Sequence, residues 1–226
     1  MNQGKLYIIA TPIGNLDDIT CRAIKTLKEK IDLVYCEDTR RTGKLLSHYG
    51  IALSTESLHA HSSEKKILHA IEILEQGKSI GYMTDSGTPS LSDPGSRLVS
   101  EARKRGIEVI PLPGASALTT IVSVSGFSEK NVLFGGFLSK KQGRRKRELE
   151  KFKEFEGIIV IFESPYRIKH LLKDIAEIFP ENEIFIGREM TKMFEEFIQG
   201  KAREIFVNID KIKEKGEFTL AILNNL

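Results

Sequence analysis

The 226-residue chain has no tryptophan and only two cysteines, Cys21 and Cys36. Two cysteines are too few for a disulfide framework, and alone they cannot complete a zinc site. The longest purely apolar runs, Leu6–Ala10 and Gly157–Phe162, are far shorter than the roughly 20 residues of a membrane-spanning helix. The N-terminus also lacks the basic segment and small-residue cleavage site of a signal peptide. These absences predict a soluble protein of the reducing cytoplasm, with no membrane partner.

Several well-known site signatures are also missing. The first predicted strand is followed by Thr-Pro-Ile-Gly-Asn and not by G-x-G-x-x-G. Because those glycines let the backbone approach a dinucleotide pyrophosphate, their absence argues against a standard dinucleotide-binding site. Walker A and nucleophile-elbow patterns are absent as well. His59 and His61 have no clear third ligand nearby, so we expect an exposed loop or strand there and no metal site.

The net charge of +3 is unevenly distributed along the chain. Residues 139–153 contain eight basic and two acidic side chains, a net charge of +6, whereas the remainder has 26 basic and 29 acidic ones, a net charge of −3. A basic cluster on a faintly acidic body is typical of a protein that binds a polyanion. A solvated helix face is the alternative interpretation.

Strand-like and helix-like patterns alternate, which predicts an α/β protein with parallel strands. In the first half we predict strands at Leu6–Ala10, Leu33–Cys36, Ser79–Met83 and Glu108–Leu112. Ile19, Ala23, Ile24 and Leu27 recur at helical spacing, and further helices are predicted at Glu64–Gln76 and from Asp93-Pro94 to Gly106. In the second half we predict helices at Ala117–Val124, over the basic segment and at Ile168–Ile178, and strands at Val132–Phe137, Ile158–Phe162, Ile184–Ile186 and Phe218–Leu223. The proline- and glycine-rich run at 111–114 predicts two domains, 1–113 and 114–226.

Two loops have the composition of a ligand site. Tyr82–Gly95 follows a buried strand, precedes a helix and is rich in small hydroxyl residues and glycine, which allow a ligand to approach the backbone. Pro113–Ala117 lies at the proposed domain junction, where small-molecule sites are common. Ordinary turns or a linker remain the alternatives for both.

Charged residues gather after three predicted strands, at Cys36–Arg41, Phe162–Arg167 and Arg188–Lys192. They could line one shared cleft, or they could simply pair with each other. The residues that we nominate for substrate orientation or proton handling are Glu37, Asp38, Arg40, Glu163, Arg167, Glu189 and Lys192.

Eight motifs occur in an order that points to one family: TPIGNLDDIT, CEDTRRTGKLL, TDSGTPSLSDPG, PGASAL, FGGFLSKKQGRR, FESPYRI, GREMTKMFEE and GEFTL. From about Leu6 to Leu223 the chain resembles the bacterial 16S ribosomal RNA 2′-O-ribose methyltransferases of the tetrapyrrole-methylase superfamily. The resemblance implies the fold of class III methyltransferases, two α/β domains with the cofactor in the cleft between them. It also implies S-adenosylmethionine as cofactor, a homodimer, and 16S rRNA within the small ribosomal subunit as partner.

The resemblance further assigns residues to roles. The cofactor-binding positions that it implies are Pro12, Ile13, Thr88, Leu91, Ser92, Ser116, Ala117, Phe162, Glu217 and Phe218. The basic segment becomes an RNA-binding element, with Lys140, Lys141, Arg144, Arg145, Lys146 and Arg147 as its contacts. The implied reaction is 2′-O-methylation of a cytidine in the decoding region, which needs no metal because the sulfonium already activates the methyl group.

Two other functions stay open at this point. A tetrapyrrole could be the methyl acceptor, although such a substrate does not need the basic segment. A non-catalytic RNA-binding assembly factor would keep the fold without binding the cofactor, and the largely intact cofactor loops disfavour it.

Overall fold

The computed structural model describes residues 3–60, 62–91 and 95–225. The chain divides into two compact units, Met1–Ser116 and Ala117–Leu226, slightly beyond the boundary proposed after Pro113. Each unit has one five-stranded sheet covered by helices. The two units are therefore α/β, as the sequence predicted.

The first unit alternates strands and helices along its whole length. Its elements are β1 (Leu6–Ile9), α1 (Cys21–Glu29), β2 (Leu33–Cys36), α2 (Thr39–His48), β3 (Ser54–Ser57), α3 (Glu64–Glu75), β4 (Ile80–Met83), α4 (Ser96–Lys104) and β5 (Val109–Leu112). The strand order is β3-β2-β4-β1-β5 and every pairing is parallel. The carboxyl ends of all five strands therefore lie at one edge, where open α/β sheets bind ligands.

Helices cover both faces of this sheet, so its central strands are apolar throughout. One face buries Ile9, Met83 and Leu112 with residues of α1 and α2, such as Leu27 and Leu45. The other face buries residues of β1 and β4 with α3 and α4. Both faces of the sheet are thus packed against helices.

The second unit has a mixed sheet. Its elements are α5 (Ala117–Ser125), β6 (Val132–Phe137), α6 (Gln142–Phe152), β7 (Gly157–Glu163), α7 (Ile168–Ile178), β8 (Glu183–Arg188), β9 (Glu196–Lys201), α8 (Ala202–Val207) and β10 (Phe218–Asn224). In the order β6-β7-β10-β8-β9, β6 and β7 are parallel and the other three pairings are antiparallel. The ends of β6, β7 and β8 therefore share one edge with the starts of β9 and β10.

Most predicted elements are confirmed, several with the same bounds, such as Leu33–Cys36, Val132–Phe137 and Ile168–Ile178. The proposed helix start at Asp93-Pro94 lies outside the described residues, as does His61. The sequence analysis did not predict α2, β3, β9 or α8 as elements. Within the described ranges, no helix is both long enough and apolar enough to cross a membrane.

Candidate functional site

Three loops of the first unit meet at the carboxyl edge of its sheet, after the neighbouring strands β4, β1 and β5. Thr11, after β1, exchanges two main-chain hydrogen bonds with Gly87, after β4, at N···O distances of 2.9 and 3.1 Å. The Thr88 hydroxyl donates to the carbonyl of Ala115, after β5, at 3.1 Å. The Tyr82–Gly95 and Pro113–Ala117 loops are therefore joined to each other and to the first loop.

Small residues make this close approach possible. Gly87 has φ +83°, a conformation that favours glycine, and an added Cβ would lie 3.4 Å from Ile13 Cγ2. A Cβ on Gly114 would lie 3.0 Å from the Cβ of Ala10, closer than ordinary packing allows. A side chain at position 114 would therefore press against Ala10, whereas another residue at position 87 would have to adopt a strained left-handed backbone.

The implied cofactor residues of the first unit lie on these three loops. Pro12, Ile13 and Ser116 are buried, while Thr88 and Leu91 are partly exposed. Ser92 lies outside the described residues. The structure thus brings the first loop, the Thr88 loop and the Ser116 loop together at the carboxyl edge of the sheet.

The charged cluster after β2 is held by ion pairs. Asp38 caps α2 by accepting from the main-chain N–H of Arg40 at 2.9 Å, and its two oxygens also bind the Arg40 guanidinium at 3.0 and 2.7 Å. The Arg40 side chain, helped by its main-chain N–H, holds the pKa of Asp38 well below its usual value. Asp38 is therefore a permanent anion and not a base poised for catalysis. Glu37, half-buried, directly precedes it.

In the second unit, Lys192 lies between two carboxylates at the edge where β8 ends and β10 begins. Its Nζ is 2.9 Å from Glu189 Oε1 and 3.0 Å from Glu217 Oε2. Glu189 Oε1 also accepts the main-chain N–H of Glu217 at 2.8 Å. The predicted residues Glu189, Lys192 and Glu217 are thus brought into one cluster, which we call the Lys192 cluster.

The backbone around the Lys192 cluster is strained. Glu189 and Thr191 have φ +52° and +66°, which is uncommon for residues other than glycine. Gly216 has φ +93°, and a Cβ there would overlap Glu189 Cγ. Such conformations persist where the surrounding structure fixes them, and they concentrate at functional sites.

Both partners of the central ion pair stay charged at neutral pH. Burial alone would raise the pKa of Glu189, but the hydrogen bonds from Lys192 and from the Glu217 N–H outweigh it and lower the pKa below 4.5. Burial alone would lower the pKa of Lys192, but its bonds to Glu189 and Glu217 outweigh it and raise the pKa above 10.5. Lys192 therefore acts as a cation and hydrogen-bond donor, not as a proton acceptor.

Glu163 and Arg167 brace the turn after β7. The Glu163 side chain is fully buried, and its Oε1 accepts from the Ser164 N–H at 2.7 Å and from the Arg167 guanidinium at 2.5 Å. Arg167 also donates to the carbonyl of Leu138, beyond the end of β6, at 3.3 Å. Glu163 Oε2 is buried without a hydrogen-bond partner in the described part of the chain. The pair ties β6, β7 and the start of α7 together, which is a positioning role.

The other implied cofactor residues of the second unit have different environments. The half-buried ring of Phe162 packs edge-on against Phe134 and Phe137, with centroids 4.9 and 5.8 Å away. Phe218 packs within the hydrophobic core, so a ligand contact at that position would have to come from its main chain. The Glu217 side chain is mostly exposed. Ala117 begins α5.

The prediction that Arg145 contacts RNA is wrong. Its side chain is only 4% exposed and forms an ion pair with the fully buried Asp174 of α7 at 2.6 Å. Arg145 lies on the face of α6 that packs against α7, together with Leu149. Lys146 also turns towards α7, where it pairs with Glu177. Of the six predicted RNA contacts, Lys140, Lys141, Arg144 and Arg147 are exposed, and Arg144 pairs with Glu148.

The sequence analysis missed two residues that organise these clusters. Arg188 is buried and donates to Glu196 at 2.7 Å and to the carbonyl of Lys215 at 3.2 Å. Asp85 accepts from the N–H of Asp38 at 3.0 Å and pairs with Arg41 at 3.5 Å. Both stand in motifs that we quoted, and their position at a strand end was the available signal.

Comparison with known proteins shows the family and the fold of the chain. The family of Tetrapyrrole (Corrin/Porphyrin) Methylases matches residues 5–205. The chain is 46% identical to a protein of Leptospira biflexa, over 97% of the chain and 91% of that protein. It is 47% identical to one of Thermotoga maritima, over 97% of the chain and 98% of that protein. Both relatives are named Ribosomal RNA small subunit methyltransferase I.

Solved structures show the same fold at low identity. A cobalt precorrin-4 methyltransferase of cobalamin biosynthesis superposes with a TM-score of 0.69 at 16% identity, covering 96% of this chain and 94% of that one. Uroporphyrin-III C-methyl transferase from Thermus thermophilus, complexed with S-adenyl homocysteine, gives 0.64 at 15% identity, covering 96% and 97%. The resemblance drawn from the sequence motifs is therefore confirmed. With this fold, this joined set of loops and relatives of this identity, the chain belongs to the tetrapyrrole (corrin/porphyrin) methylase family.

Proposed function

We propose that the chain is an S-adenosylmethionine-dependent methyltransferase that methylates the ribose 2′-oxygen of a cytidine in the decoding region of 16S rRNA. The observation that carries the proposal is the hydrogen-bonded set of three loops at the edge of β4, β1 and β5, in a chain that is 46–47% identical to proteins named ribosomal RNA small subunit methyltransferases. One of the solved structures with this fold is complexed with S-adenyl homocysteine, the demethylated form of this cofactor.

The three loops fit such a cofactor. Gly87 turns the chain in a left-handed conformation, a Cβ on Gly114 would crowd Ala10, and the Thr88 hydroxyl bonds one loop to the next. We assign Pro12, Ile13, Thr88, Leu91 and Ser116 as cofactor-binding residues of the first unit. Ser92, Ala117, Phe162, Glu217 and Phe218 complete the proposed set, with Phe218 contributing its main chain.

S-adenosylmethionine supplies a methyl group on a positively charged sulfur, so that a C–O bond to the ribose forms as the C–S bond breaks, with its electron pair left on sulfur, and the hydroxyl proton is released. The chain has to position the ribose and to stabilise charge near its oxygen. Lys192 suits this task because it is a part-buried ammonium whose Nζ is fixed by Glu189 and Glu217. We propose that Lys192 donates a hydrogen bond to the ribose and that Glu189 holds it in place.

The remaining candidates are better suited to orientation than to proton transfer. Asp38 is held as an anion by Arg40, so it is a weak base. Glu163 is enclosed and engaged with Arg167. We propose that Arg40 contacts the substrate and that Glu37 contributes polarity beside Asp38 in the first unit. In the second unit, Arg167 and Glu163 position the β7–α7 turn.

We further propose that the partner is 16S rRNA within the small ribosomal subunit, and that the protein acts in the cytoplasm as a homodimer. These statements rest on the family resemblance. Lys140, Lys141, Arg144 and Arg147, on and just before α6, remain the proposed RNA contacts of the second unit because their side chains are exposed.

The test is incubation of the purified protein with labelled S-adenosylmethionine and small subunits that lack the modification, followed by digestion to nucleosides. The proposal predicts label in 2′-O-methylcytidine. Label in an added porphyrinoid, with none in RNA, would favour a small-molecule acceptor. RNA binding without cofactor binding, measured by calorimetry, would contradict the proposal that the chain is an enzyme.

A further inference from the structure

A second cationic surface lies in the first unit, on α2. Arg40 and Lys44 are four residues apart and Arg41 and Lys44 three, so the three cations share one side of the helix. The side chains of Arg40 and Arg41 are 86% and 62% exposed, and Lys44 is exposed as well. Thr39–His48 contains no acidic residue. We call these three residues the α2 face.

The position of the two arginines is unfavourable for the helix alone. Both stand in the first turn of α2, which has no acidic residue, and the positive end of the helix dipole repels cations there. Two carboxylates outside the helix offset this repulsion, since Asp38 pairs with Arg40 and Asp85 pairs with Arg41. A local arrangement that works against helix stability is expected where function requires it.

The α2 face is connected to a proposed cofactor loop. β2, which leads into α2, is paired with β4, which leads into the Thr88 loop. Asp85, after β4, accepts the N–H of Asp38 at 3.0 Å and pairs with Arg41 at 3.5 Å. The first turn of α2 is therefore fixed directly to the loop that we assign to the cofactor.

We propose that the α2 face binds the phosphate backbone of the RNA strand next to the nucleotide that is methylated. The planar guanidinium groups of Arg40 and Arg41 match phosphate oxygens, and their ion pairs restrict the orientations that each can take. Lys44 extends the contact along the helix. This inference rests on the proposed function and names a second RNA-binding element, in addition to the residues around α6.

The test compares the full-length wild type with the triple variant Arg40→Gln/Arg41→Gln/Lys44→Gln. The probe is a synthetic RNA hairpin with the decoding-region sequence, and its Kd is measured at several salt concentrations. The slope of log K against log salt is negative, and each lost phosphate contact reduces its magnitude by about 0.7 to 0.9. Three lost contacts therefore predict that the magnitude decreases by about 2 to 3. The Kd for S-adenosylmethionine, measured in parallel, shows whether loss of the pair between Arg41 and Asp85 disturbs the cofactor loop.

A matched control removes three cations from the opposite edge of the same sheet, in Lys78→Gln/Arg103→Gln/Lys104→Gln. Lys78 precedes β4, and Arg103 and Lys104 end α4 before β5 begins. The proposal predicts a slope within about 0.5 of wild type for this control. Thermal melts show whether both variants are folded. If the triple variant is unstable, the single variant Lys44→Gln replaces it, because this change breaks none of the ion pairs described above. It should reduce the magnitude of the slope by about 0.7 to 0.9.

Equal slopes in the two triple variants, or a wild-type slope in folded Lys44→Gln, would overturn the proposal. Such a result is distinguishable from failure of the proposed function. If the proposed function failed, the wild type itself would transfer no methyl group to RNA, whereas an error limited to the α2 face leaves wild-type methylation intact.

Discussion

Arg145 of α6 and Asp174 of α7 form an ion pair at 2.6 Å in which both side chains are withdrawn from solvent. Gln142 adds a third contact by donating to Asp174 Oδ1 at 3.2 Å. The pair explains why a segment that is strongly basic in sequence presents less positive charge at the surface than its composition indicates. Part of that charge fixes the helix to the unit, whereas the side chains of Lys140, Lys141 and Arg147 are exposed at the surface.

Asp174→Ala should therefore destabilise the protein strongly. It leaves the Arg145 guanidinium buried without its partner, and removing one member of a buried pair typically costs about 3–5 kcal/mol. Urea unfolding measures the loss. Lys140→Gln/Lys141→Gln is the control, because both lysines are exposed, and it should change the free energy of unfolding by less than about 0.5 kcal/mol. Equal stability of Asp174→Ala and wild type would contradict the structural role.

Lys192→Ala should abolish methylation while cofactor binding survives. The substitution removes the ammonium that is fixed between Glu189 and Glu217, and it leaves the three loops of the first unit untouched. Single-turnover methylation and calorimetry with S-adenosylmethionine separate the two effects. Lys169→Ala is a matched control, since that lysine also lies between two carboxylates, Asp210 and Glu214. Unchanged turnover in Lys192→Ala would remove the Lys192 cluster from the reaction.

The ion pair between Glu189 and Lys192 should contribute stability over a wide pH range. The folded pKa of Glu189 is lowered, so its contribution is present above its unfolded pKa of about 4.5 and is lost as the pH falls through the folded value. The folded pKa of Lys192 is raised, so its contribution is present below about 10.5 and is lost as the pH rises through the folded value. Unfolding of wild type and Glu189→Gln between pH 3 and 8 should give a stability difference that shrinks only below about pH 4.5. A difference that already changes near pH 7 would refute this assignment.

Gly216→Ala should impair both stability and methylation. The residue has φ +93°, and a Cβ there would overlap Glu189 Cγ, which displaces the carboxylate that holds Lys192. The left-handed conformation alone costs about 1–2 kcal/mol, and the overlap adds to that cost. Gly106→Ala is the control, because Gly106 has φ +70° with open space around it. It should lose stability by the conformational cost alone and keep its activity; equal activity losses in the two variants would point to a general folding defect.

Thr88→Val should weaken cofactor binding without unfolding the first unit. It keeps the side-chain shape and removes the hydrogen bond to Ala115, which contributes about 0.5–1.5 kcal/mol and corresponds to a two- to twelvefold increase in Kd. Calorimetry with S-adenosylmethionine provides the measurement. Thr26→Val, at a buried threonine of α1, should leave the Kd unchanged. An unaltered Kd in Thr88→Val would show that the joined loops do not hold the cofactor.

The elements that could be predicted from the sequence are those whose buried positions are occupied by apolar residues in a recognisable pattern. β7 and α7 are apolar where they face the core, and their predicted bounds agree closely with the observed ones. β3 reads Ser-Thr-Glu-Ser and lies at the edge of its sheet, so neither side needs to be apolar and no pattern marks it. The helix α2 also lacks a clear apolar pattern at its start, because its charged first turn resembles a loop.

The site could be predicted only where the strand ends define it. The composition of the loops after β4 and β5 indicated a ligand site, and parallel strands bring such loops to one edge, but the hydrogen bonds that join them to each other and to the loop after β1 could not be predicted. The environment of a charge could not be predicted, because Arg145 and Arg147 are alike in sequence and one is buried while the other is exposed. That difference depends on Asp174, which is 29 residues further along the chain than Arg145.

Mapping of the modified nucleotide by alkaline hydrolysis tests the central claim most directly. A methyl group on the ribose oxygen removes the nucleophile that cleaves the adjacent phosphodiester bond, so that one bond resists alkali. With unmodified small subunits and S-adenosylmethionine, the account predicts one protected bond, after a cytidine of the decoding region, with the wild type and none with Lys192→Ala. No protected bond with wild-type protein that binds the cofactor, or protection only at other nucleotides, would contradict it.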